Sequence, residues 1–358
     1  MQSSLVSESV YSTQELSTHG SHTVDLSDGK RHPPSSLNLT VATLLVRPSA
    51  PPSPALSVTS TLVGDVAPPK AKELPDVTDF EAIKVLGRGA QGVVTLVRNK
   101  STGLCHALKS VNVTKLGAAL YIRSLEEQDV LKRLAGIPWF VELHASFYDR
   151  KHFFFATKYY HNGTLGALME RGRLPAPEAR RLAAELVFVL GLLQQKRVLH
   201  GDIKPDNLLL DSRGHLVLAD FGMARCFAAR RADAPWQGLA EAFRADMTCR
   251  TVGTPVYAAP EVWYNEVTPQ SYPADVWSAG VVIFEMLCGR LPFGPHNIAG
   301  HPQERCQNTV RRALGFPEEL AEEVDDDARD LVRKMLQLDA SARPTIAAIK
   351  RHPYFKSM

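Results

Sequence analysis

The stretch that decides the fold is His200-Gly201-Asp202-Ile203-Lys204-Pro205-Asp206-Asn207. Thirteen residues after its last member, the chain reads Asp220-Phe221-Gly222. A carboxylate, an amine, an amide and a second carboxylate therefore lie within 21 residues, on two short loops. Because Mg²⁺ prefers oxygen ligands, this set is equipped to hold metal-bound phosphate beside a hydroxyl nucleophile. A lone His-x-Asp would carry little information, but the order and spacing of both loops predict a phosphoryl-transfer site.

Four side chains of these loops suit distinct chemical roles. The Asp202 carboxylate can accept a proton or orient the incoming hydroxyl. Lys204 can neutralise charge on the moving phosphoryl group. Asn207 and Asp220 offer hard oxygen ligands to Mg²⁺. We therefore predict that Asp202 and Lys204 are catalytic residues and that Asn207 and Asp220 are metal ligands.

Length and composition narrow the class of protein. At ~100–200 residues per domain, 358 residues correspond to one large or two small domains. A net charge of +3 is too small to indicate a nucleic-acid or membrane partner. The five cysteines contain no CxxC pair, which argues against a disulfide framework or a zinc site and fits a reducing compartment.

The sequence also bears on cellular location. The longest apolar stretch, residues 182–193, is shorter than the ~18 residues of a spanning helix and carries Glu185. The first residues, Met-Gln-Ser-Ser, have neither the basic nor the apolar region of a secretory signal. We expect a soluble cytoplasmic protein, with entry to the nucleus left open, that is monomeric and has no nucleic-acid or membrane partner.

Residues 1–75 differ from the rest of the chain in composition. Ser, Thr and Pro dominate, with proline pairs at Pro33-Pro34, Pro51-Pro52 and Pro68-Pro69. Such a segment cannot bury enough apolar surface to offset the entropy of ordering it. We predict a disordered tail, which is either plainly solvated or a docking or phosphorylation segment, for instance at Ser53-Pro54.

Near Asp79 the chain begins a strand, a glycine loop and a second strand. The loop reads Gly87-Arg88-Gly89-Ala90-Gln91-Gly92 and leads into a strand, where a dinucleotide-binding fold would have a helix. Glycines in a hairpin let backbone amides close over nucleotide phosphates without Cβ clashes. Lys109 ends the third strand, 17 residues after the loop, where it can reach those phosphates.

A helix predicted over Leu120 to Leu134 should supply a glutamate that pairs with Lys109. Glu127 is preferred to Glu126, because it lies four residues before Leu131 on one helical face. The alternative is that either glutamate is a solvated surface charge.

Beyond Gly163 the predicted elements change from strands to helices. The predicted helices lie over 177–195, from Asp275 to near Gly289, over 324–338 and over 346–350. A run of strands followed by a run of helices indicates an α+β fold.

Taken in order, the motifs resemble those of the eukaryotic protein kinases of serine/threonine type. The resemblance covers residues 79–355 and includes the glycine loop, the strand lysine, the catalytic loop, Asp-Phe-Gly and Ala259-Pro260-Glu261. It implies a bilobal α+β fold behind the disordered tail, with a small β-rich lobe (79–161) and a larger helical lobe (162–355). Lys204 and Gly253-Thr254-Pro255 favour the serine/threonine type, and the subfamily stays open.

The resemblance implies further site residues and cofactors. The implied nucleotide-binding residues are Leu86, Gly87, Gly89, Gly92, Val94, Ala107, Lys109, Glu127, Lys158 and Tyr160. Thr157 would control access behind the adenine, and Glu261 and Arg343 would form a buried ion pair. The implied cofactors are ATP and Mg²⁺, bound between the lobes, and the implied partners are protein substrates that carry Ser or Thr.

Two residues depart from the family pattern. Gly201 stands where most members have the arginine that pairs with a phosphorylated activation-loop residue. Arg250 occupies the commonest phosphorylation site, four residues before Thr254. We therefore predict that activity does not need activation-loop phosphorylation through the usual arginine.

Three functions were compared on these residues. The first is an active serine/threonine kinase, the second a pseudokinase scaffold that binds partners without phosphoryl transfer, and the third a small-molecule phosphotransferase. A degraded catalytic set would favour the scaffold, but Lys109, Asp202, Asn207 and Asp220 are all present. The Gly-Thr-Pro and Ala-Pro-Glu motifs argue against the third, since they build a platform for protein substrates. The active kinase is preferred.

The composition of the tail generates a first prediction. Deleting residues 1–74 should leave the melting temperature and the peptide kinase activity nearly unchanged, because these residues are expected to bury almost nothing. Thermal unfolding and kcat of the full chain and the shortened chain test this. A large fall in either quantity would contradict a disordered tail.

Overall fold

The computed structural model describes residues 75–89, 92–114, 118–227, 254–264, 272–294, 315–316, 318–320 and 323–356. The predicted disordered tail lies outside this set except for Pro75. Arg250, with the rest of residues 228–253, also lies outside it.

A five-stranded antiparallel sheet forms the first lobe. Its strands are β1 (Phe80–Gly89), β2 (Gly92–Asn99), β3 (Cys105–Asn112), β4 (Leu143–Tyr148) and β5 (His152–Lys158). They lie in the order β1-β2-β3-β5-β4, so that β1 and β4 are the edges. The register places Val94 opposite Lys109 and Ala107 opposite Thr157, so the residues expected around a nucleotide lie on adjacent strands.

Helix α1 (Ala118–Leu134) packs with this sheet. Apolar residues of the helix and the sheet share one core: Val111, Val130, Leu131, Leu134, Phe153 and Phe155. Glu127 lies one turn before Leu131, so the packing that buries Leu131 also buries Glu127, which is 5% exposed. The helix therefore presents a carboxylate to the inside of the lobe.

The second lobe is mainly helical. Its helices are α2 (Leu165–Met169), α3 (Ala176–Gln195), α4 (Pro260–Tyr264), α5 (Tyr272–Cys288), α6 (Asp326–Met335) and α7 (Ile346–Lys350). Short 3₁₀ turns occur at Val77–Asp79, Pro205–Asn207, Glu318–Leu320, Ala340–Ala342 and Pro353–Phe355. In the part of the chain that the structure describes, no helix has both the length and the hydrophobicity needed to cross a bilayer.

Two small antiparallel ladders complete this lobe. Strand β6 (Val198–Leu199) pairs with β9 (Arg225–Cys226), and β7 (Leu208–Leu210) pairs with β8 (Leu216–Leu218). The other side of β8 meets the first lobe. The amide of Leu218 donates to the carbonyl of Trp139 (2.9 Å), and the amide of Val141 donates to the carbonyl of Leu218 (2.9 Å). The strand that leads to Asp220 is therefore held from both lobes.

Helix α5 is the centre of the second lobe. Every residue from Ala274 to Cys288 except Glu285 is buried, as expected for a helix that is apolar all round. The buried Asp275 and Ser278 on this helix need hydrogen-bond partners, and both have them. The hydroxyl of Ser278, for example, donates to the carbonyl of Tyr257 (2.8 Å).

The predicted bilobal α+β fold is confirmed, with one helix shorter than expected. The helix predicted over 324–338 spans Asp326–Met335, because Asp325 caps its start by accepting from the amide of Ala328 (2.6 Å). The chain passes from the sheet to the first helix between Lys158 and Leu165. The division of the lobes into 79–161 and 162–355 stays a prediction within that interval.

The pair formed by Glu261 and Arg343 joins α4, α5 and the segment before α7. Two parallel hydrogen bonds of 2.6 and 2.7 Å connect the guanidinium to the carboxylate. The guanidinium also donates to the carbonyl of Pro273 (2.9 Å) and lies 5.0 Å from the ring of Trp277. The arginine side chain is 0% exposed, so its charge depends on these partners.

This burial generates a second prediction. Glu261→Ala should lower the free energy of unfolding by about 3 kcal/mol, because a buried guanidinium loses its counter-charge. Urea unfolding measures the change, with Glu170→Ala as the control, since Glu170 is an exposed glutamate in the same lobe. Equal unfolding midpoints for the two variants would contradict the structural role of the pair.

Candidate active site

The glycine loop lies at the tip of the β1–β2 hairpin, where Gly89 pairs with Gly92. Gly92 has a φ of +150°, and a Cβ there would lie 2.2 Å from the carbonyl oxygen of Ser110, so only glycine fits. A Cβ at Gly87 or Gly89 would meet no atom within 4 Å. The chain's own packing does not require glycine at these two positions, which fits the close approach of a phosphate to the backbone.

Lys109 on β3 lies between two carboxylates from distant parts of the chain. Its ammonium is 2.8 and 3.0 Å from the two oxygens of Glu127 on α1. It is also 2.7 Å from the carboxylate of Asp220, two residues after β8. Of the two glutamates considered from the sequence, Glu127 is the one that lies against the lysine. The three side chains bring both lobes together at one point.

Burial and mutual attraction act in opposite directions on these three groups. Burial alone would lower the pKa of Lys109, but attraction to Asp220 and Glu127 raises it above its usual value. Burial alone would raise the pKa of Asp220, but the ammonium of Lys109 holds it below its usual value. For Glu127 burial dominates and raises the pKa, with Lys109 opposing. At neutral pH the cluster therefore has a charged ammonium and an ionised Asp220.

Asp202 is the centre of a second hydrogen-bond network. Its Oδ1 accepts from the backbone amide (2.8 Å) and the hydroxyl (3.0 Å) of Thr254. Its Oδ2 accepts from the ammonium of Lys204 (2.7 Å) and the side-chain amide of Asn207 (3.1 Å). Lys204 also donates to the hydroxyl of Thr254 (2.7 Å). The two residues predicted to be catalytic are thus in direct contact with each other.

The loop that carries Asp202 is fixed to the buried helix α5. The carboxylate of Asp275 accepts from the amides of His200 (2.8 Å) and Gly201 (2.9 Å). Burial raises the pKa of Asp275, and the hydrogen bonds from the amides of His200 and Gly201 oppose that shift. The start of the catalytic loop is therefore held by a core residue.

The ring of His200 is a second support for this loop. It is fully buried and lies against Phe221, with ring centroids 5.0 Å apart. Nδ1 accepts from the amide of Asp202 (3.2 Å), and Nε2 lies 3.0 Å from the carbonyl of Ala219. This arrangement fits a neutral ring that carries its proton on Nε2. One histidine therefore orients both the catalytic aspartate and the strand end before Asp220.

Asn207 and Asp220 have the donor set that Mg²⁺ uses. The Asn207 amide nitrogen donates to the backbone oxygen (2.8 Å) and carboxylate (3.1 Å) of Asp202, which leaves the amide oxygen as its ligand atom. Asp220 has a φ of +59°, a left-handed conformation that aspartate tolerates better than most residues. Mg²⁺ is usually held by one or two carboxylates together with substrate phosphates. No cluster of three or more His, Cys, Asp or Glu side chains that could hold a metal ion occurs among the described residues.

Three of the nucleotide-binding residues that the resemblance implies are apolar: Leu86, Val94 and Ala107. Leu86 is 40% exposed at the end of β1, and Val94 on β2 pairs with Gly87 and with Lys109. Ala107 on β3 pairs with Leu96 and with Thr157. These positions form one short strip across three neighbouring strands, next to the strand lysine.

The last residue of β5, Lys158, and the two residues after it form the hinge between the lobes that the family resemblance implies. The hydroxyl of Thr157 donates to the carbonyl of Ala107 (3.3 Å). The amide of Lys158 donates to the carbonyl of Glu142 (2.9 Å), so this amide is not available to a ligand. The ammonium of Lys158 lies 5.5 Å from the ring of Tyr160. In the hinge, the amide of Lys158 is thus already hydrogen-bonded within the protein, and the ammonium of the same residue lies beside the Tyr160 ring.

Motif reasoning did not assign Thr254 and Asp275 as site residues, although both contact the catalytic loop. Thr254 entered that reasoning only as a mark of kinase type, and its two hydrogen bonds to Asp202 follow from tertiary structure. A usable signal existed for Asp275: a carboxylate at the start of an otherwise apolar helix must find buried donors.

Known proteins match the chain over the same region. A family model described as the protein kinase domain matches residues 80–355. Rho-associated protein kinase 1 of Homo sapiens is 33% identical over 288 residues, which are 78% of this chain and 20% of that protein. Serine/threonine-protein kinase Sgk1 of Homo sapiens is 33% identical over 317 residues, which are 86% of this chain and 66% of that protein.

A third relative extends the match. Serine/threonine-protein kinase Sgk1 of Danio rerio is 33% identical over 340 residues, which are 91% of this chain and 71% of that protein. The chain thus spans about a fifth of the length of the first relative and about two thirds of the second. Protein kinases generally use ATP and Mg²⁺ and act on protein substrates. The predicted family is confirmed: the chain belongs to the eukaryotic protein kinases of serine/threonine type, with the subfamily unresolved.

Proposed function

We propose that this chain transfers the γ-phosphate of ATP to Ser or Thr hydroxyls of protein substrates. The observation that carries the proposal is the backbone bond that links the two networks of the site: the amide of Ala219, next to Asp220, donates to the carbonyl of Asn207 (2.9 Å). Asp202 contacts Asn207, a candidate metal ligand. Asp220 contacts Lys109, which lies on the strand beside the glycine-loop hairpin. Acceptor, metal and phosphate groups thus converge on one cleft, and phosphoryl transfer depends mainly on such positioning and on charge neutralisation.

Asp202 would orient the acceptor hydroxyl and receive its proton. The carboxylate is nearly buried, and its two oxygens are held by three different side chains, so its orientation is fixed before a substrate arrives. Lys204 donates to this carboxylate and would neutralise negative charge that develops on the transferred group. Their fixed geometry lowers the reorganisation that the reaction requires.

Asn207 and Asp220 would hold Mg²⁺, and Lys109 would hold the phosphates of ATP. Bound Mg²⁺ would supply electrostatic stabilisation of the phosphate oxygens. The chain's part is to keep Asp220 ionised, which the low pKa imposed by Lys109 achieves. Lys109 itself stays charged because Glu127 and Asp220 share it. An ammonium in this setting can bind a phosphate oxygen without first gaining a proton.

Thr254 supports Ser and Thr as acceptors. Its amide and hydroxyl bind Asp202 directly, so the segment that begins at Thr254 lies within hydrogen-bond distance of the catalytic carboxylate. A substrate backbone that runs along this segment brings a short hydroxyl side chain to Asp202. The Sgk1 relatives are named serine/threonine-protein kinases, which agrees with that preference.

The cellular setting is also part of the proposal. We propose a monomeric cytoplasmic enzyme without a nucleic-acid or membrane partner. The five scattered cysteines without a CxxC pair fit a reducing compartment. The scaffold alternative has no supporting observation, because Lys109, Asp202 and Asp220 are all intact and connected.

The metal and base assignments give a third prediction. Asp220→Ala and Asp202→Asn should each lower kcat at least about a thousandfold, or ~4 kcal/mol, because each removes a charge that acts on the transition state. Phosphate transfer to a peptide library with Mg²⁺ and ATP measures the loss. Asp327→Asn changes an exposed carboxylate on α6 and should keep wild-type activity. Full activity of folded Asp220→Ala would refute the mechanism.

A fourth prediction concerns activation. Gly201 has a φ of +78° and offers only its amide, which is bound to Asp275, so it cannot pair with a loop phosphate. Phosphatase-treated protein should therefore keep its kcat within about tenfold, or ~1.4 kcal/mol in barrier. Mass spectrometry before and after treatment establishes the phosphate content. A greater loss on dephosphorylation would show that other basic residues have taken over the role of the missing arginine.

A further inference from the structure

Glu185 on α3 is a buried carboxylate that the proposed mechanism does not use. It interrupts the longest apolar stretch of the chain, and the residue is only 9% exposed. A carboxylate in such a place needs strong hydrogen-bond donors, because burial removes its water. The hydrogen-bond donors around Glu185 therefore indicate its role.

Both oxygens of Glu185 are occupied, mostly by the turn between β7 and β8. Oε2 accepts from the backbone amide of Leu216 (2.9 Å), the first residue of β8. Oε1 lies 2.8 Å from Nδ1 of His215 and accepts from Arg181 on the same helix (2.7 Å). Arg181 also donates to the carbonyl of Gly214 (3.2 Å). Side chains of helix α3 therefore contact three successive residues, Gly214, His215 and Leu216, at the start of β8.

The amide of Leu216 depends on this carboxylate. Leu216 pairs with Leu210 on β7, but the amide of Leu210 donates to Gly163 (3.0 Å). The pair is therefore of the type without mutual hydrogen bonds, and the Leu216 amide points away from β7. The residue is 1% exposed, so without Glu185 its amide would be buried and unsatisfied.

The position of Leu216 fixes the metal side of the site. Asp220 lies four residues after Leu216, which is at most about 13 Å along the chain. Along the way the amide of Ala219 donates to the carbonyl of Asn207 (2.9 Å). A shift at the start of this short strand is therefore passed to both candidate metal ligands, and a misplacement of ~1 Å can cost about a hundredfold in rate.

We propose that Glu185 is a positioning residue for phosphoryl transfer: its carboxylate oxygen holds the start of β8 and thereby places Asp220 and Asn207 for Mg²⁺. This inference rests on the proposed function. The effect comes from a side-chain oxygen that is far enough from the helix to accept from the amide of Leu216. The negative charge of Glu185 has no role in the reaction. A merely structural role for Glu185 would change stability alone.

Three substitutions of the full chain separate these roles. Glu185→Met keeps the length of the side chain and removes the acceptor. Glu185→Gln keeps an oxygen at the same reach and removes the charge. Glu185→Asp keeps the charge and withdraws the oxygens by one C–C bond, ~1.5 Å. Glu178→Gln, on the first turn of the same helix, is the matched control.

The readout is the effect of Mg²⁺ on ATP binding, measured by calorimetry in EDTA and in Mg²⁺, together with the Mg²⁺ concentration for half-maximal activity. In Glu185→Met, the factor by which Mg²⁺ increases the affinity for ATP should be at least fivefold smaller than in wild type. The Mg²⁺ concentration for half-maximal activity should be at least fivefold higher. Its ATP affinity in EDTA and its KM for peptide should stay within twofold of wild type. In Glu185→Gln and Glu178→Gln, both quantities should match wild type within threefold. In Glu185→Asp, the effect of Mg²⁺ on ATP affinity should fall severalfold.

Each outcome decides the inference. Wild-type Mg²⁺ dependence in folded Glu185→Met would overturn it, whatever the melting temperature. If Glu185→Met does not fold, wild-type Mg²⁺ dependence in Glu185→Asp overturns it instead. A loss in Glu185→Gln as large as in Glu185→Met would assign the effect to charge and also overturn it. If wild-type protein shows neither Mg²⁺-dependent binding nor transfer, the proposed function falls together with this inference.

Discussion

The burial of charge is the constraint on which this structure depends. Asp275 lies in a helix whose other residues are nearly all apolar, and the amides of His200 and Gly201 compensate its carboxylate. These two bonds hold Gly201 at a φ of +78°, where a Cβ would lie 3.1 Å from the carbonyl of Met223. Glycine avoids that strain, so the departure from the family arginine has a local structural benefit. One core carboxylate thus sets the backbone next to Asp202.

The same constraint joins the two lobes. A buried ammonium needs counter-charge, and Lys109 on β3 obtains it from Glu127 on α1 and Asp220 after β8. Glu127 is in place because Leu131, one turn further along, packs in the core. If α1 moved away from the sheet, Lys109 would lose the counter-charge of Glu127, and Glu127 would need water in place of the ammonium. The nucleotide side of the site therefore depends on apolar packing in the first lobe.

Sequence reasoning reached the parts of this site that short motifs specify. Glu127 could be chosen over Glu126 because helical periodicity ties it to Leu131. The bond between Asp202 and Thr254 spans 52 residues and that between Glu185 and Leu216 spans 31, and no local pattern encodes such pairs. Helix α6 was predicted too long for a related reason. The buried Leu336 continues the apolar pattern beyond the helix, so periodicity alone did not locate its end.

The two halves of the site rest on different helices. Asp202 is anchored to α5 through Asp275, whereas Asp220 follows a strand that α3 holds at its start. A strand of three residues has too few ladder bonds to fix its own register, and a slip of one residue would turn every side chain to the opposite face. Tertiary partners at both ends of β8 prevent that slip: the helix at Leu216 and the first lobe at Leu218. Asp220 therefore has its support from α3, and Asp202 has its support from α5. The bonds of His200 to Asp202 and to Ala219 connect the two supports, so a perturbation of one reaches the other.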